Sequence, residues 1–446
     1  MELHPRPFVD GILWPGLSSP NAASLLAMLF QLEQSQWLSA ESLRQRQMKQ
    51  AALVLRHALE SVPFYRQHYG ELACGVFDEA LWQSLRILER SDIQDNFELL
   101  KSTQPPERHG QTVLYGSSGS GGRPITVLGT EVTRHYWKVL TLRDHIWHGR
   151  DFSGKLAAIR SKVQRASLPG WFQAGDGLLS GPSCTLNISE DIDAQLDWLA
   201  LENPDYLITH PSNLYALAQR ALERRIRPNH LREVRTFGEM LRPDLRALCQ
   251  RAWGSGLTDM YSAEEVGYIA LQCPQDEHYH VQAENLLVEI LDQQGNSCRP
   301  GEVGSVVVTT LHNFAMPLIR YRLRDFAEVG AACDCGRGLP VLKRIVGRQR
   351  NMLTLPDGRR HWPSFPGAAW TQAAPVRQFQ LVQHDLNRIE VRLVCARPLR
   401  ESEQNALRTM LTDQLGYPFL FEFTFQDQFE STPNSKYEDF ISYISG

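Results

Sequence analysis

Tyr115-Gly116-Ser117-Ser118-Gly119-Ser120-Gly121-Gly122-Arg123-Pro124 is a run of glycines and small hydroxyl residues closed by Arg-Pro. Residues without bulk let a ligand approach the backbone. Glycines allow successive N–H groups to converge on an anion, and serine hydroxyls add donors for phosphate oxygens. The run does not fit the P-loop pattern, because Arg-Pro stands where Gly-Lys-Ser/Thr would be expected. Taken alone it also reads as a flexible loop, so its meaning depends on what surrounds it. The short apolar piece before it, Thr112-Val113-Leu114-Tyr115, reads as a strand that delivers it.

Upstream of this run the pattern is helical. Ala51 to Leu59 carries apolar residues at helical spacing and stops at Val62-Pro63, and Ser91 is an N-cap candidate for a further helix. Downstream, from about Lys155 to Tyr261, apolar strand-like runs alternate with helical patterns. Tyr206-Leu207-Ile208-Thr209 leads into a helix at Pro211-Ser212, and Val234 to Gly238 leads into one after Arg242-Pro243. That alternation predicts an α/β architecture with strand-to-helix turns along one edge, where ligands sit. From Tyr279 to Glu328 the pattern turns to strands separated by Gly295 and Pro300-Gly301, which predicts antiparallel hairpins. Beyond Gly347 the chain resets: a hairpin around Leu355 to Arg359 precedes a β–α–β pattern over Phe379 to Phe425, read as a separate domain.

Composition narrows the class. The chain has 446 residues, 42% hydrophobic and 22% charged, which suits a soluble multidomain protein. A net charge of −4 gives no global basic surface for nucleic acid or an anionic membrane, and no apolar stretch is long enough to span a bilayer. Eight cysteines at irregular spacing suggest reduced thiols, and with no secretion signal at the N-terminus the expected location is cytoplasmic. No coiled-coil seam fixes an oligomeric state.

Four further pieces follow the glycine-rich run in order. Tyr261-Ser262-Ala263-Glu264-Glu265-Val266-Gly267 offers two adjacent acids after a strand-like stretch. Leu318 to Asp325 alternates, so that Tyr321 and Asp325 are expected on one strand face and Arg320, Arg322 and Arg324 on the other. Ile345-Val346-Gly347-Arg348 marks the proposed domain junction, and Ser431 to Lys436 forms a small-residue loop with one lysine. Singly, Asp325 and Glu265 read as solvated strand-end acids, the arginines as an exposed or ion-paired face, and Lys436 as a solvated lysine. Their order and separation carry more weight than any one of them.

Together these pieces resemble the adenylate-forming (ANL) superfamily, in particular its phenylacetate–CoA ligase and CapK-like branch. Ser61-Val62-Pro63-Phe64-Tyr65 and Leu88-Glu89-Arg90-Ser91-Asp92-Ile93 add to the likeness. The resemblance implies an α/β fold with a large multi-subdomain N-terminal adenylation domain over residues 1–347. Its mixed sheets would be flanked by helices, with a β-barrel-like part, and a small mobile α+β C-terminal lid would span 348–446.

It also implies a role for each matching residue. Ser117, Ser118, Gly119, Ser120, Gly121 and Gly122 would form the phosphate loop, with Gly121 in place of the usual hydroxyl residue and Arg123 in place of lysine. Gly238 and Glu239 would pass beside the adenine, Tyr261 would stack on it, Ser262 would be among the nucleotide-binding residues, and Glu265 would hold Mg²⁺ at the triphosphate. Asp325 and Arg348 would meet the ribose, and Lys436 would supply positive charge to the adenylation transition state. Tyr136, Trp137, His210 and Phe237 lie where relatives build the acid pocket, although aromatics are equally common core fillers.

The reaction implied joins a small carboxylic acid to AMP from ATP and passes the acyl group to coenzyme A. A carrier-protein thiol or an amine is the alternative acceptor, and a degenerate nucleotide-binding relative is a further alternative. Glu264 replaces Ser or Thr of many relatives, Arg324 replaces a common Gly, and Arg350-Asn351 occupies a place often held by two aspartates.

A separate group, Cys273, His280, Cys333 and Cys335, suits a tetrahedral structural zinc. His278 competes with His280; the resemblance favours His280. Buried free thiols beside a surface histidine are the alternative.

Overall fold

The apolar piece ahead of the serine–glycine run is a strand. The computed structural model describes residues 4–69, 77–116, 124–171, 177–348, 351–363, 365, 367–426, 429 and 438–444. In it β1 (Thr112–Gly116) pairs antiparallel with β2 (Thr126–Thr130), Gly116 opposite Thr126. This two-stranded ribbon brackets the expected phosphate loop; Ser117, Ser118, Gly119, Ser120, Gly121 and Gly122 themselves lie outside the described residues.

Next come β3 (Leu156–Arg160), β4 (Ala166–Leu168), β5 (Ser183–Asn187), β6 (Tyr206–Thr209), β7 (Glu233–Phe237) and β8 (Gly256–Ala263). The helices Ile192–Glu202, Pro211–Arg224 and Leu245–Trp253 alternate with them. β5, β3, β6, β7 and β8 run parallel as neighbours in that order, with β4 antiparallel on the outer edge. Leu214, Leu217 and Leu248 from these helices bury against Ala157, Leu207 and Val234. Strands with apolar residues on consecutive positions suit a sheet covered by helices, which is why the sequence alternation was readable.

The chain then adds β9 (Gly267–Gln272), β10 (Tyr279–Val281), β11 (Leu286–Leu291), β12 (Val303–Thr310), β13 (Tyr321–Val329) and β14 (Val341–Arg348). These antiparallel strands continue the same ladder, giving twelve strands in the order β11-β12-β13-β14-β10-β9-β8-β7-β6-β3-β5-β4. The helix Ala40–Ser61 ends at Val62, as its sequence predicts, and sets Ala51, Val54 and Ala58 in the core shared with Val306, Val308 and Tyr321.

Three local expectations are corrected. The helix Arg90–Asp95 begins after Glu89, not at a Ser91 cap, because Asp92 Oδ2 accepts the Glu89 N–H at 2.8 Å. The three arginines do not share one face of β13. Between Ser305 and Val307 of β12 one residue stands opposite three of β13, a bulge that breaks the alternation. Arg320 is buried just before the strand, Arg322 pairs with Glu89 at 2.9 Å, and Arg324 is exposed in the bulge.

The third correction lies beyond Arg348. There β15 (Leu353–Thr354) and β16 (Arg360–His361) form the expected hairpin. The pattern over Phe379 to Phe425 is β–β–α–β: β17 (Val376–Gln383) and β18 (Arg388–Cys395) form a hairpin before the helix Glu401–Leu415 and β19 (Leu420–Phe425). The turn is closed by Asp385, whose Oδ1 accepts the Asn387 N–H at 2.9 Å. With β20 (Phe440–Ser442) these strands make a separate sheet, β19-β18-β17-β20, over a core that includes Leu381, Val391, Leu407 and Leu411.

Candidate active site

β13 and β14 place Asp325 directly opposite Arg348. Arg348 Nε lies 3.5 Å from Asp325 Oδ1, and the Tyr261 hydroxyl, arriving from β8, donates to Asp325 Oδ2 at 2.7 Å. Burial, reinforced by the Asp325 carboxylate, holds the Tyr261 pKa far above its ordinary value, so the phenol remains a donor. Burial opposes the charge of Arg348, but Asp325, Glu438 and Glu265 more than offset it and raise its pKa. Asp325 thus has one protein partner on each oxygen and keeps further lone pairs for a ligand hydroxyl.

Asn351 explains one departure from the family pattern. Its Oδ1 accepts the Arg348 N–H at 3.1 Å, while its Nδ2 donates to Glu438 Oε2 at 3.0 Å and to the Phe440 carbonyl at 2.6 Å. A carboxylate cannot donate either of the last two bonds. Arg350 lies outside the described residues.

β8 and β9 join through a turn over Glu264 to Val266, closed by Gly267 at φ +88°. A Cβ on Gly267 would lie 3.5 Å from Trp137 Cε3, so the hairpin packs against the helix Glu131–Trp147. The cleft between them is lined by Tyr115, Tyr136, Trp137, Glu265, Tyr268 and His312, among others. It brings Tyr136 and Trp137 to the same space as the acid pair. Glu265 is half-buried there, near enough to Tyr261, Tyr321 and Arg348 to bias their titration.

His312 was missed from the sequence. It stacks on Tyr136 with ring centroids 3.9 Å apart and an 11° interplanar angle, and its Nε2 lies 2.8 Å from the Glu284 carbonyl. Burial pushes its pKa down to about 4, so it is neutral. The one signal available was its place immediately after the apolar strand ending at Thr310.

His210 and Phe237 meet elsewhere, at the C-terminal ends of β6 and β7. Their rings are 4.4 Å apart and His210 Nδ1 lies 3.1 Å from the Phe237 carbonyl. Gly238 follows at φ +79°, and Glu239 Oε2 accepts the Ser212 N–H at 3.0 Å, capping the helix Pro211–Arg224. These four lie along the strand edge where ligands of open α/β sheets bind. Ser262 is half-buried beside Tyr261, and Lys436 lies outside the described residues.

A second cluster forms where β9 ends, β10 begins and the chain leaves β13. One ligand atom from each of Cys273, His278, His280 and Cys333 lies within 4.8 Å of the others. Cys335 Sγ is 3.3 Å from His280 Nε2, and Cys273 Sγ is 3.8 Å from Cys333 Sγ. His278 Nε2 is buried without a hydrogen-bond partner. The expected quartet therefore becomes a group of five, with His278 a full member. The thiols of Cys273 and Cys333 with the imidazoles of His278 and His280, or with Cys335 in place of one of the four, suit the tetrahedral coordination of zinc.

Comparison with known proteins agrees with the fold. No family model matches the chain. The phenylacetate-coenzyme A ligase of Pseudomonas putida is 26% identical over 340 residues, covering 73% of this chain and 74% of its own. That of Thermus thermophilus is 27% identical over 350 residues, covering 74% and 75%. A 2-hydroxyisobutyryl-CoA ligase in the postadenylation state, in complex with R3-HIB-AMP, superposes with a TM-score of 0.72 at 17% identity, covering 92% of this chain and 91% of that one. The chain is thus similar in sequence to phenylacetate-coenzyme A ligases over about three quarters of its length, and it shares the fold of the solved 2-hydroxyisobutyryl-CoA ligase.

The same ligase in its thioesterification state, with 2-HIB-AMP and CoA, gives 0.60 at 17% identity, covering 92% and 91%. In this chain, Tyr261, Asp325 and Arg348 share one hydrogen-bonded and ionic group, with Glu265 beside it. His210, Phe237, Gly238 and Glu239 stand together at the neighbouring strand ends, and Tyr136 and Trp137 line the cleft that Glu265 enters. No helix among the described residues is long and apolar enough to cross a membrane.

Proposed function

We propose that this chain is an AMP-forming acid–thiol ligase: carboxylic acid, ATP and coenzyme A give acyl-CoA, AMP and pyrophosphate. The observation that carries the reading is the convergence of Tyr261 from β8 with Asp325 and Arg348 from the successive strands β13 and β14, beside Glu265. A carboxylate resists nucleophilic attack because it is already anionic. In the first step its oxygen attacks the α-phosphorus of ATP and pyrophosphate leaves with the bonding pair. Two anions must meet, so preorganised positive charge governs the barrier.

Asp325 accepts the ribose hydroxyls, Arg348 and Tyr261 hold that carboxylate in place, and the loop between β1 and β2 cradles the outer phosphates. Lys436 brings the charge. Glu438, two residues after it in sequence, lies 3.8 Å from Arg348. The half-buried carboxylate of Glu265 is the hard oxygen donor a magnesium ion requires, and such an ion, when bound, offsets phosphate charge. In the second step the coenzyme A thiol gives up its proton, attacks the acyl carbon and displaces AMP. Residues 348–446 act as the lid that turns between the steps, and residues 1–347 form the adenylation domain.

The acid we infer is aromatic, because Tyr136, Trp137, Tyr268 and His312 make a cleft with flat walls and a neutral imidazole. A structural zinc drawn from Cys273, His278, His280, Cys333 and Cys335 staples β9 and β10 to the loop after β13. Free thiols in that group accord with a cytoplasmic protein.

A pyrophosphate-release screen over aryl, short-chain and hydroxy or amino acids, each with and without coenzyme A, tests the reading. Release with aryl acids and thioester formation are expected. Acid-dependent exchange without a thioester would redirect the second step to a carrier protein or amine, and no exchange at all would overturn the function. Metal analysis should find one zinc per chain. Single substitution of His278 and of Cys335 should identify the spare ligand, and absence of bound zinc retires the staple.

A further inference from the structure

Arg242 sits on the segment after β7, yet its surroundings come from both halves of the chain. It is 7% exposed. Its guanidinium carbon stands 4.1 Å from the Tyr215 ring centre on the N-terminal side and 5.1 Å from that of Phe379 in β17. Nη2 donates to the Phe365 carbonyl at 3.2 Å, and Nη1 lies 3.8 Å from Asp439 Oδ2, immediately before β20. Nε reaches Asp244 Oδ1 on its own segment at 3.4 Å. One buried cation thus bridges an aromatic ring of the large unit and a ring, a carbonyl and a carboxylate of the small one. A second contact runs beside it, where Arg348, the last residue of β14 in the large sheet, lies 3.8 Å from Glu438, the neighbour of Asp439.

We infer that Arg242 is a positioning residue for adenylation: it fastens the β17–β20 face of the C-terminal unit to the large unit in the arrangement described here, and must let go before the thiol step. The inference rests on the two-step reading above. The planar guanidinium is suited to the task, since it stacks between rings and forks to oxygen acceptors at once, which a lysine cannot do. Immediately before the held strand stand Glu438 and Asp439, which follow Lys436 in sequence by two and three residues. Fastening that strand fixes the end of the chain that closes on Arg348 and, through it, on Asp325. A side chain that served only as core packing would affect both chemical steps alike. One that holds a single arrangement should weaken the step which uses it and spare the other.

The test uses the full-length chain and two readouts. In the first, trypsin cleavage between Gly347 and Asn351 is timed; Arg242→Ala should raise the rate about tenfold, the change that losing a desolvated cation–π contact with its ion pair implies. In the second, Arg242→Ala should lower acid-dependent pyrophosphate release by about tenfold, while transfer of a supplied acyl-adenylate to coenzyme A stays within about twofold. Arg242→Lys should fall between wild type and Arg242→Ala. Asp439→Asn, which removes one partner and little volume, should shift both readouts in the same direction by less, and it keeps the test open if Arg242→Ala does not fold. Unchanged cleavage in both variants, or equal loss of the two half-reactions, overturns the role. If the wild-type chain releases no pyrophosphate with any acid, the functional reading falls, and the cleavage rates still decide whether Arg242 fastens the two units.

Discussion

At Arg324 the backbone takes φ +67°, in the left-handed region where a Cβ is crowded, and this is the position where the resemblance drawn from the sequence expects glycine. The departure visible in the sequence therefore has a physical cost on the order of 1 kcal/mol, borne at the residue that precedes Asp325. The exposed side chain of Arg324 is outside the hydrogen-bonded group of Tyr261, Asp325 and Arg348. Individual acids and aromatics at the site were readable because each sat in an ordered series. His312 belonged to no series, so only the stack on Tyr136 revealed it. At this scale the sharpest expectation concerns Lys436. Lys436→Ala should slow acid-dependent pyrophosphate release by about 10²–10³-fold, the usual loss when one preorganised charge is removed. Thiol transfer from supplied acyl-adenylate should persist. An unchanged release rate would remove Lys436 from the adenylation step.

Elements were legible where hydrophobic period decided them. The parallel strands from Leu156 to Ala263 carry buried apolar runs, and their helices carry apolar stripes, so the alternation could be read directly. β13 resisted because a bulge is set by register with β12 and leaves no local mark in the sequence. The same region hides an ion pair that sequence could only group with its neighbours. Arg320 Nη2 lies 3.1 Å from Glu289 Oε1, and Nη1 donates to the carbonyls of Gln83 and Leu85 at 2.6 and 2.7 Å. Trp82 Nε1 donates to the other Glu289 oxygen at 3.3 Å. This cation thus ties the end of the helix Glu79–Ser84 to the start of β13. Arg320→Ala leaves a buried carboxylate without its cation and should cost about 3–5 kcal/mol in denaturant unfolding. Adding Glu289→Gln should recover part of that loss; a double variant no more stable than the single one would show that the carbonyl contacts, not the ion pair, matter.

The whole molecule joins a parallel half to an antiparallel half at β8, and Asp259 lies at that joint. Thr236 of β7 and Tyr279 of β10 donate to its two oxygens at 2.6 and 2.7 Å. Burial raises its pKa to about 6, despite those donors, above an unfolded value near 4. The folded chain therefore keeps this proton to higher pH than the unfolded chain does. From this group, stability is greatest below about pH 4, falls as pH rises to about 6, and is level beyond. Asp259→Asn should abolish that slope. Urea midpoints at pH 4, 5, 6 and 7 should show the wild type losing ground to the variant through the window, and a constant difference at all four would refute the assignment. The two-part organisation of the sheets was legible from the switch in pattern after Tyr261. The joint was not, because Thr236, Asp259 and Tyr279 meet only when strands from both patterns share one ladder.

The hairpin that presents Glu265 has a consequence for how such a ligase changes its diet. Gly267 contributes only main chain to the cleft, and any larger residue there would need a strained φ. One jaw of the cleft is therefore fixed, while the other, Tyr136 and Trp137 on a helix face, is free to vary in bulk. Divergence toward longer or shorter acids should accumulate on that helix, leaving the hairpin and its carboxylate untouched.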